Sequence, residues 1–486
     1  MQKRRIALPI LTILFLVITA MLFSTSVYYR FYYVDVDPEQ LFYTLMETKS
    51  ASPDVVWVVV GFIGIPTLII SAIVFYLFLS AKNGFEYKKS YNKGVRITAF
   101  ILSFVLLIIN IFTILKVARI DEFIKYQSSN GTFIEEQYVN PKETNIKFPE
   151  KKQNLILIFA ESMESSYTSI ENGGCWSVDL IPELYDLAKE NINFSHNEKL
   201  GGAKRTYGMT WTTAGMTATL FGLPLKIKGN QYGIGTKFLP GAYSMFEILQ
   251  DNGYEILSIS GSDSEFGGKA QMLKDHGNIK DFDYFDAIEE GKISKDYFEF
   301  WGYEDVKLFE YSKEKITNLA NGDKPFMVTV ETLDTHYPDG YRCAKCESIY
   351  GYQYPDVIRC SSRQITSFIK WAQEQSWYEN TTIVVVGDHL TMKSNMFNDS
   401  QNNDRTTFNL FVNSIAKSDN IKNRQFMTAD MFPTILSAIG CEIDGDRLGL
   451  GTNLFSKSQT LYEEFGYEFV NEEFKKKSIF YTDKIL

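Results

Sequence analysis

The chain is short of histidine, of cysteine and of positive charge. Four histidines and five cysteines occur in 486 residues, and 49 lysines and arginines face 59 acids, a net charge of −10. That balance argues against a nucleic-acid partner, because phosphate backbones attract basic surfaces. The single Cys-x-x-Cys, Cys343 to Cys346, has no second pair and no histidine pair nearby, so the spacing argues against a zinc site. In an oxidising compartment a local disulfide is expected instead, joining Cys343 or Cys346 to Cys360. Cys175 and Cys441 lie apart, and the odd total leaves at least one thiol free. No internal repeat is present.

Charge is absent altogether from three stretches, 6–29, 55–81 and 97–115. Each is near or above the roughly 20 apolar residues that cross about 30 Å of hydrocarbon. They predict three spanning helices, at about 6–29, 55–81 and 97–117, within an anchor covering 1–117. The first follows Lys3, Arg4 and Arg5, as a signal peptide does, but its apolar run is long and no small-x-small cleavage site follows. The loop after the second span holds Lys82, Lys88, Lys89, Lys93 and Arg96, whereas the loop after the first has Arg30 and Lys49 against five acids. Basic loops stay inside. The expected arrangement is a multi-pass protein of the bacterial cytoplasmic membrane, with everything after the third span outside. In the first outer loop, Asp37-Pro38-Glu39-Gln40 suits a helix start, and 41–46 predicts a short helix on the outer membrane face.

Residues 118–152 are polar and are expected to form a stem. From 153 to 455 the pattern changes, with a tail over 456–486. Apolar, β-rich runs at 155–160, 254–260, 326–330 and 382–386 alternate with helical patterns at 242–252, 307–320 and 361–375. This alternation predicts an α/β domain with a mainly parallel sheet covered by helices. Such sheets bind ligands at the carboxyl ends of their strands. The first run ends in Glu161. The last ends in Gly387-Asp388-His389. The third leads to Asp334-Thr335-His336-Tyr337-Pro338, and the second to a glycine-rich stretch ending in Lys269. Two of the four histidines therefore follow strands. Carboxylates mixed with imidazole suit one divalent cation such as manganese, magnesium or zinc. Between the first two strands, Thr210-Trp211-Thr212-Thr213-Ala214-Gly215 resembles a turn entering a helix, whose free amides favour an anion. A threonine hydroxyl beside a metal can act as a nucleophile. Phosphoryl transfer asks mainly for such positioning and charge neutralisation.

At these residues the sequence resembles the membrane-bound phosphoglycerol transferases of the alkaline phosphatase and sulfatase superfamily, including, more distantly, lipoteichoic acid synthase. The matching stretches run in order: AESMESSYT, INFSH, WTTAGM with FGLPL, FGGKAQMLKDHG, DTHYPDG, VVVGDHL and a late GLG. DTHYPDG and the AGM–GLPL pair point to the branch acting on periplasmic glucans. The resemblance implies metal ligation by Glu161, Asp388, His389 and a threonine, and substrate contact by His336, Lys269 and Trp211. It implies phosphatidylglycerol as donor, a phosphoglycerol–threonine intermediate, diacylglycerol as leaving group, and a glycan or teichoic-acid-type acceptor. Counting back from Met216 without gaps, the family's nucleophile falls on Met209; a shift of one gives Thr210, the expected nucleophile, and a longer slip gives Thr212. The C/S-x-P-x-R motif of true sulfatases is missing: Cys360-Ser361-Ser362-Arg363 lacks the proline, has other spacing and follows the wrong strand.

Overall fold

The structure is a computed structural model; it describes residues 2–32, 36–41, 60–73, 91–226, 237–393, 396–397 and 405–486. The chain divides into two compact units, residues 1–38 with 51–125, and residues 39–50 with 126–486.

The first unit is built on helices α1 (Gln2–Tyr32) and α2 (Tyr91–Val117). Within them, Ile10–Phe31 and Ile97–Val117 are long and apolar enough to cross a membrane. The two helices meet through Phe15, whose ring lies 5.5 Å from Phe100 and 5.8 Å from Phe104. Leu14, Phe23, Leu102 and Phe112 stay exposed, as lipid-facing side chains do. Among the described residues, two helices are of crossing length, at the first and third of the three expected spans. Of the middle stretch only Val60–Ile73 is described, an apolar helix below crossing length; the rest of 55–81 lies outside the described residues, as does the basic loop over 82–90. Residues 38–41 are helical, and the remainder of the expected 41–46 helix lies outside the described residues.

The second unit is organised by a six-stranded sheet. Its strands are β1 (Asn154–Ala160), β2 (Glu255–Ser260), β3 (Lys280–Phe282), β4 (Phe326–Glu331), β5 (Thr381–Gly387) and β6 (Asn409–Val412). Their order is β3-β2-β4-β1-β5-β6. The first five run parallel, and β6 pairs antiparallel with β5, so the sheet is mixed but mainly parallel. β1 lies at the centre, with Ile158 opposite Val330 on one side and Val385 on the other. Every β1 residue is buried. Successive side chains point to opposite faces, and both faces are covered. Leu155, Leu157 and Phe159 enter one core with helix α3 (Thr212–Phe221), while Ile156, Ile158 and Ala160 enter the other with α5 (Asp305–Ala320) and α6 (Gln353–Gln373). Helix α4 (Lys269–Asp275) follows β2. The four strands read from the sequence stand within a residue of their expected bounds. The short edge strands β3 and β6 were not expected.

Residues before and after this α/β body pack onto it. The Phe133 ring meets Phe465 and Phe469 edge-on at 5.3 and 5.6 Å. Ile146 and Lys147 pair antiparallel with Ile443 and Glu442.

Leu157→Ala removes a fully buried side chain from the central strand. It is expected to cost about 2–5 kcal/mol of stability. A lowered unfolding midpoint of the detergent-solubilised chain checks this.

Candidate active site

Glu161 is the first residue after β1. Its amide donates to Thr332 Oγ1 at 3.0 Å, and its carbonyl accepts from Thr335 Oγ1 at 2.5 Å. The loop after β4 thus fixes the backbone at the end of β1. Ser162 follows with φ +50°, in the left-handed region that a non-glycine residue seldom occupies. That turn aims its amide at Asp388 Oδ1, 2.8 Å away, which also accepts from the His389 amide at 2.8 Å. Asp388 Oδ2 is buried and accepts no hydrogen bond among the described residues. His389 Nδ1 lies 2.8 Å from the carbonyl of Leu390, its natural acceptor. The other ring nitrogen, Nε2, is thereby turned to the centre, 3.6 Å from Glu161 Oε1 and 3.5 Å from Asp388 Oδ2.

Thr212 completes the group as the first residue of α3. Its hydroxyl lies 3.2 Å from Glu161 Oε2 and 3.4 Å from His389 Nε2. The helix reaches this far because residue 215 is glycine. A Cβ there would stand 2.0 Å from the Asp388 carbonyl oxygen. Thr210, the expected nucleophile, is buried two residues upstream of the helix.

Charge is out of balance here. Burial pushes the Asp388 carboxyl up to about 8, reinforced by Glu161. Burial also opposes charge on Glu161, but His389, His336 and hydrogen bonds from Ser162 and Thr212 keep its carboxyl below the ordinary value. Burial would discharge His389, yet Asp388 and Glu161 raise its pKa. The cluster thus takes up protons where positive charge is wanted. Glu161, Asp388 and His389 each offer one ligand atom within 4.8 Å of the others. An unpartnered carboxylate oxygen, a second carboxylate and an inward ring nitrogen fit a divalent cation.

The remaining expected residues are placed differently. Lys269 is buried, and its ammonium lies 2.8 Å from both oxygens of Glu331 at the end of β4 and 3.1 Å from Ser262 Oγ. Its charge is thus already matched within the protein. His336 is half-buried, and its ring lies 4.7 Å from that of Trp301. Its charge is close enough to act on Glu161. Trp211 is buried at the N-cap of α3. His276, one of the two histidines away from the strand ends, is 2.8 Å from Glu247 Oε2 and 2.7 Å from the Phe238 carbonyl.

Several supporting residues were not singled out from sequence. Ser162 donates its hydroxyl to Glu161 Oε1 at 2.5 Å. Buried Glu164 accepts from Arg405 Nε at 2.9 Å and from the Thr391 amide at 2.8 Å, tying the Glu161 loop to the His389 loop. The second acid of Glu161-Ser162-Met163-Glu164 was the available signal, but its partner is 241 residues away.

The sulfatase family model matches residues 153–441, more than half of the chain. The chain belongs to the sulfatase family. It is 30% identical over 359 residues to phosphoglycerol transferase I of Escherichia coli (strain 55989 / EAEC), a match covering 71% of this chain and 44% of that protein. The chain thus spans less than half the length of the curated relatives it matches. Among solved structures, the lipoteichoic acid synthase LtaP from Listeria monocytogenes is similar with a TM-score of 0.51 at 17% identity, covering 67% of this chain and 82% of that one. The integral membrane lipooligosaccharide phosphoethanolamine transferase A from Neisseria meningitidis matches with a TM-score of 0.53 at 14% identity, covering 88% and 83%. These likenesses show the alkaline phosphatase and sulfatase-like fold.

Two measurements follow. Manganese at about 100 times its dissociation constant is expected to stabilise the protein by about 2.7 kcal/mol, and Asp388→Ala is expected to abolish the accompanying thermal shift. Lys269→Ala leaves Glu331 buried and uncompensated; a loss of about 3–5 kcal/mol in unfolding stability is expected, as against a change confined to KM.

Proposed function

We propose that this chain transfers a phosphoglycerol group from phosphatidylglycerol to a hydroxyl of a glycan or teichoic-acid-type polymer, through a covalent intermediate on Thr212. The observation that carries the reading is the Thr212 hydroxyl at the start of α3, in reach of both Glu161 and His389. Thr212 takes the role that sequence alignment gave first to Thr210.

Glu161, Asp388, His389 and Thr212 would hold one divalent metal, manganese, magnesium or zinc. When bound, it supplies charge for the phosphoryl oxygens and favours the alkoxide form of a threonine. Thr212 Oγ forms the new bond to phosphorus. The bond from phosphorus to the diacylglycerol oxygen breaks, and that oxygen leaves with a proton. His336 is the imidazole beside this centre suited to deliver that proton or to hold a non-bridging oxygen. The free amides at the start of α3 favour the anionic group. In the second half, the acceptor hydroxyl attacks phosphorus, the Thr212 oxygen leaves, and the hydroxyl is regenerated. The apolar helices α1 and α2 fit a membrane anchor, and a lipid donor has its headgroup at the bilayer surface. We place the catalytic unit on the extracytoplasmic side, which follows from the basic loops when the apolar stretch 55–81 is counted as the second of three crossings. The acceptor class and donor both rest on likeness to phosphoglycerol transferase I.

Headgroup-labelled phosphatidylglycerol tests the proposal. Wild-type protein is expected to release diacylglycerol and to carry a phosphoglycerol mass on the peptide containing Thr212. Thr212→Ala is expected to lose at least about 100-fold in turnover, about 2.7 kcal/mol of barrier, with folding retained. Full activity in Thr212→Ala, or release from phosphatidylethanolamine alone, overturns the assignment.

A further inference from the structure

Three cysteines have no part in this chemistry, and the fold brings them together. Cys343 and Cys346 lie on the loop after β4, beyond His336, and Cys360 lies on α6. The sulfur of Cys343 is 3.5 Å from that of Cys346 and 3.7 Å from that of Cys360, and all three lie within 4.8 Å of one another. All five cysteines are free, so the disulfide expected from sequence is not formed.

We propose that Cys343, Cys346 and Cys360 bind a zinc ion that clips the His336 loop to α6. The distances suit it. Ligands about 2.3 Å from a tetrahedral zinc stand about 3.8 Å apart, close to the two separations found. A disulfide asks for about 2.04 Å, so one pair would have to close by about 1.5 Å and leave the third thiol out. The Cys346 amide donates to the Cys343 carbonyl at 3.0 Å, folding Cys-Ala-Lys-Cys into a turn that points both sulfurs one way. The Gln364 side-chain amide, one helical turn beyond Cys360, is 3.6 Å from the Cys360 sulfur and 3.9 Å from that of Cys343. Such donors steady thiolate ligands.

The surroundings agree. Three thiolates on a divalent ion leave one net negative charge. Arg363 on α6 lies nearby, its guanidinium 2.6 Å from the Lys345 carbonyl and 2.6 Å from Glu347 Oε1, with which it pairs. A groove of about 740 Å³ lined in part by Lys345, Arg363 and Gln364 lies beside the cluster, and Cys346 is half-buried, which leaves a side open to solvent for the fourth position. The sequence argument against zinc counted Cys-x-x-Cys pairs and gave Cys360 to a disulfide; the fold instead brings all three sulfurs together.

The test uses the full chain in detergent, in an Asp388→Ala background so that the site at the strand ends adds no metal. One zinc per chain is expected by elemental mass spectrometry, lost in Cys343→Ser and Cys360→Ser and kept in Cys441→Ser. Cobalt in place of zinc is expected to give the near-ultraviolet thiolate-to-cobalt charge-transfer band, which oxygen and nitrogen ligands do not produce. Should the serine variants fail to fold, the otherwise unaltered chain decides: a thiol-blocking reagent must release its zinc. Absence of the cobalt band, zinc unchanged in Cys360→Ser, or a Cys343–Cys360 or Cys346–Cys360 cross-link in non-reduced peptides overturns the proposal.

Discussion

Two buried carboxylates set the terms for the catalytic unit. Glu161 and Asp388 offer oxygens within 4.8 Å of each other, and at an effective dielectric of about 20 the repulsion of two such charges is about 3 kcal/mol. Among the described residues, no lysine or arginine forms an ion pair with them. Lys269 is matched to Glu331, and Arg405 to Glu164. The imidazole of His389 and protons on Asp388 are what the protein itself provides. This imbalance is what makes the site suitable for a cation, and the neighbouring ion pairs keep competing positive charges elsewhere.

Holding like charges together takes a rigid frame, and the sheet supplies it. β1 and β5 are neighbours in register through Ala160 and Gly387, so their next residues, Glu161 and Asp388, emerge side by side. The Ser162 amide closes the gap by bonding Asp388. On the other flank, α3 presses its glycine against the Asp388 backbone, which sets Thr212 at the centre. Each of these side chains is therefore placed by backbone geometry more than by side-chain freedom.

Much of this was legible in the sequence because burial on both faces leaves an uninterrupted apolar run, and each run ended in a chemically distinctive residue. Glu161, Asp388 and His389 could be read in that way. The choice between Thr210 and Thr212 could not, since it turns on where α3 begins, and capping alone suits either residue. Lys269 looked free because its partner, Glu331, closes a strand 62 residues later. β3 and β6 were missed for their length, three and four residues. The nearness of Cys343, Cys346 and Cys360 was legible too, and read as a disulfide; that all three sulfurs meet at once depends on how α6 packs against the loop.

The central position of β1 has a consequence for biogenesis. Its two neighbours, β4 and β5, are made long after it, and the bonds that fix Glu161 and Ser162 span 171 and 226 residues. Non-local pairing of this kind closes slowly. During synthesis, the apolar run of β1 waits unpaired until β4 has been made, and stays open on its other edge until β5 follows. Partial chains ending before Gly387 would carry an open, aggregation-prone strand edge, so the order of synthesis, and any factor that shields the nascent chain, bears directly on how much folded protein forms.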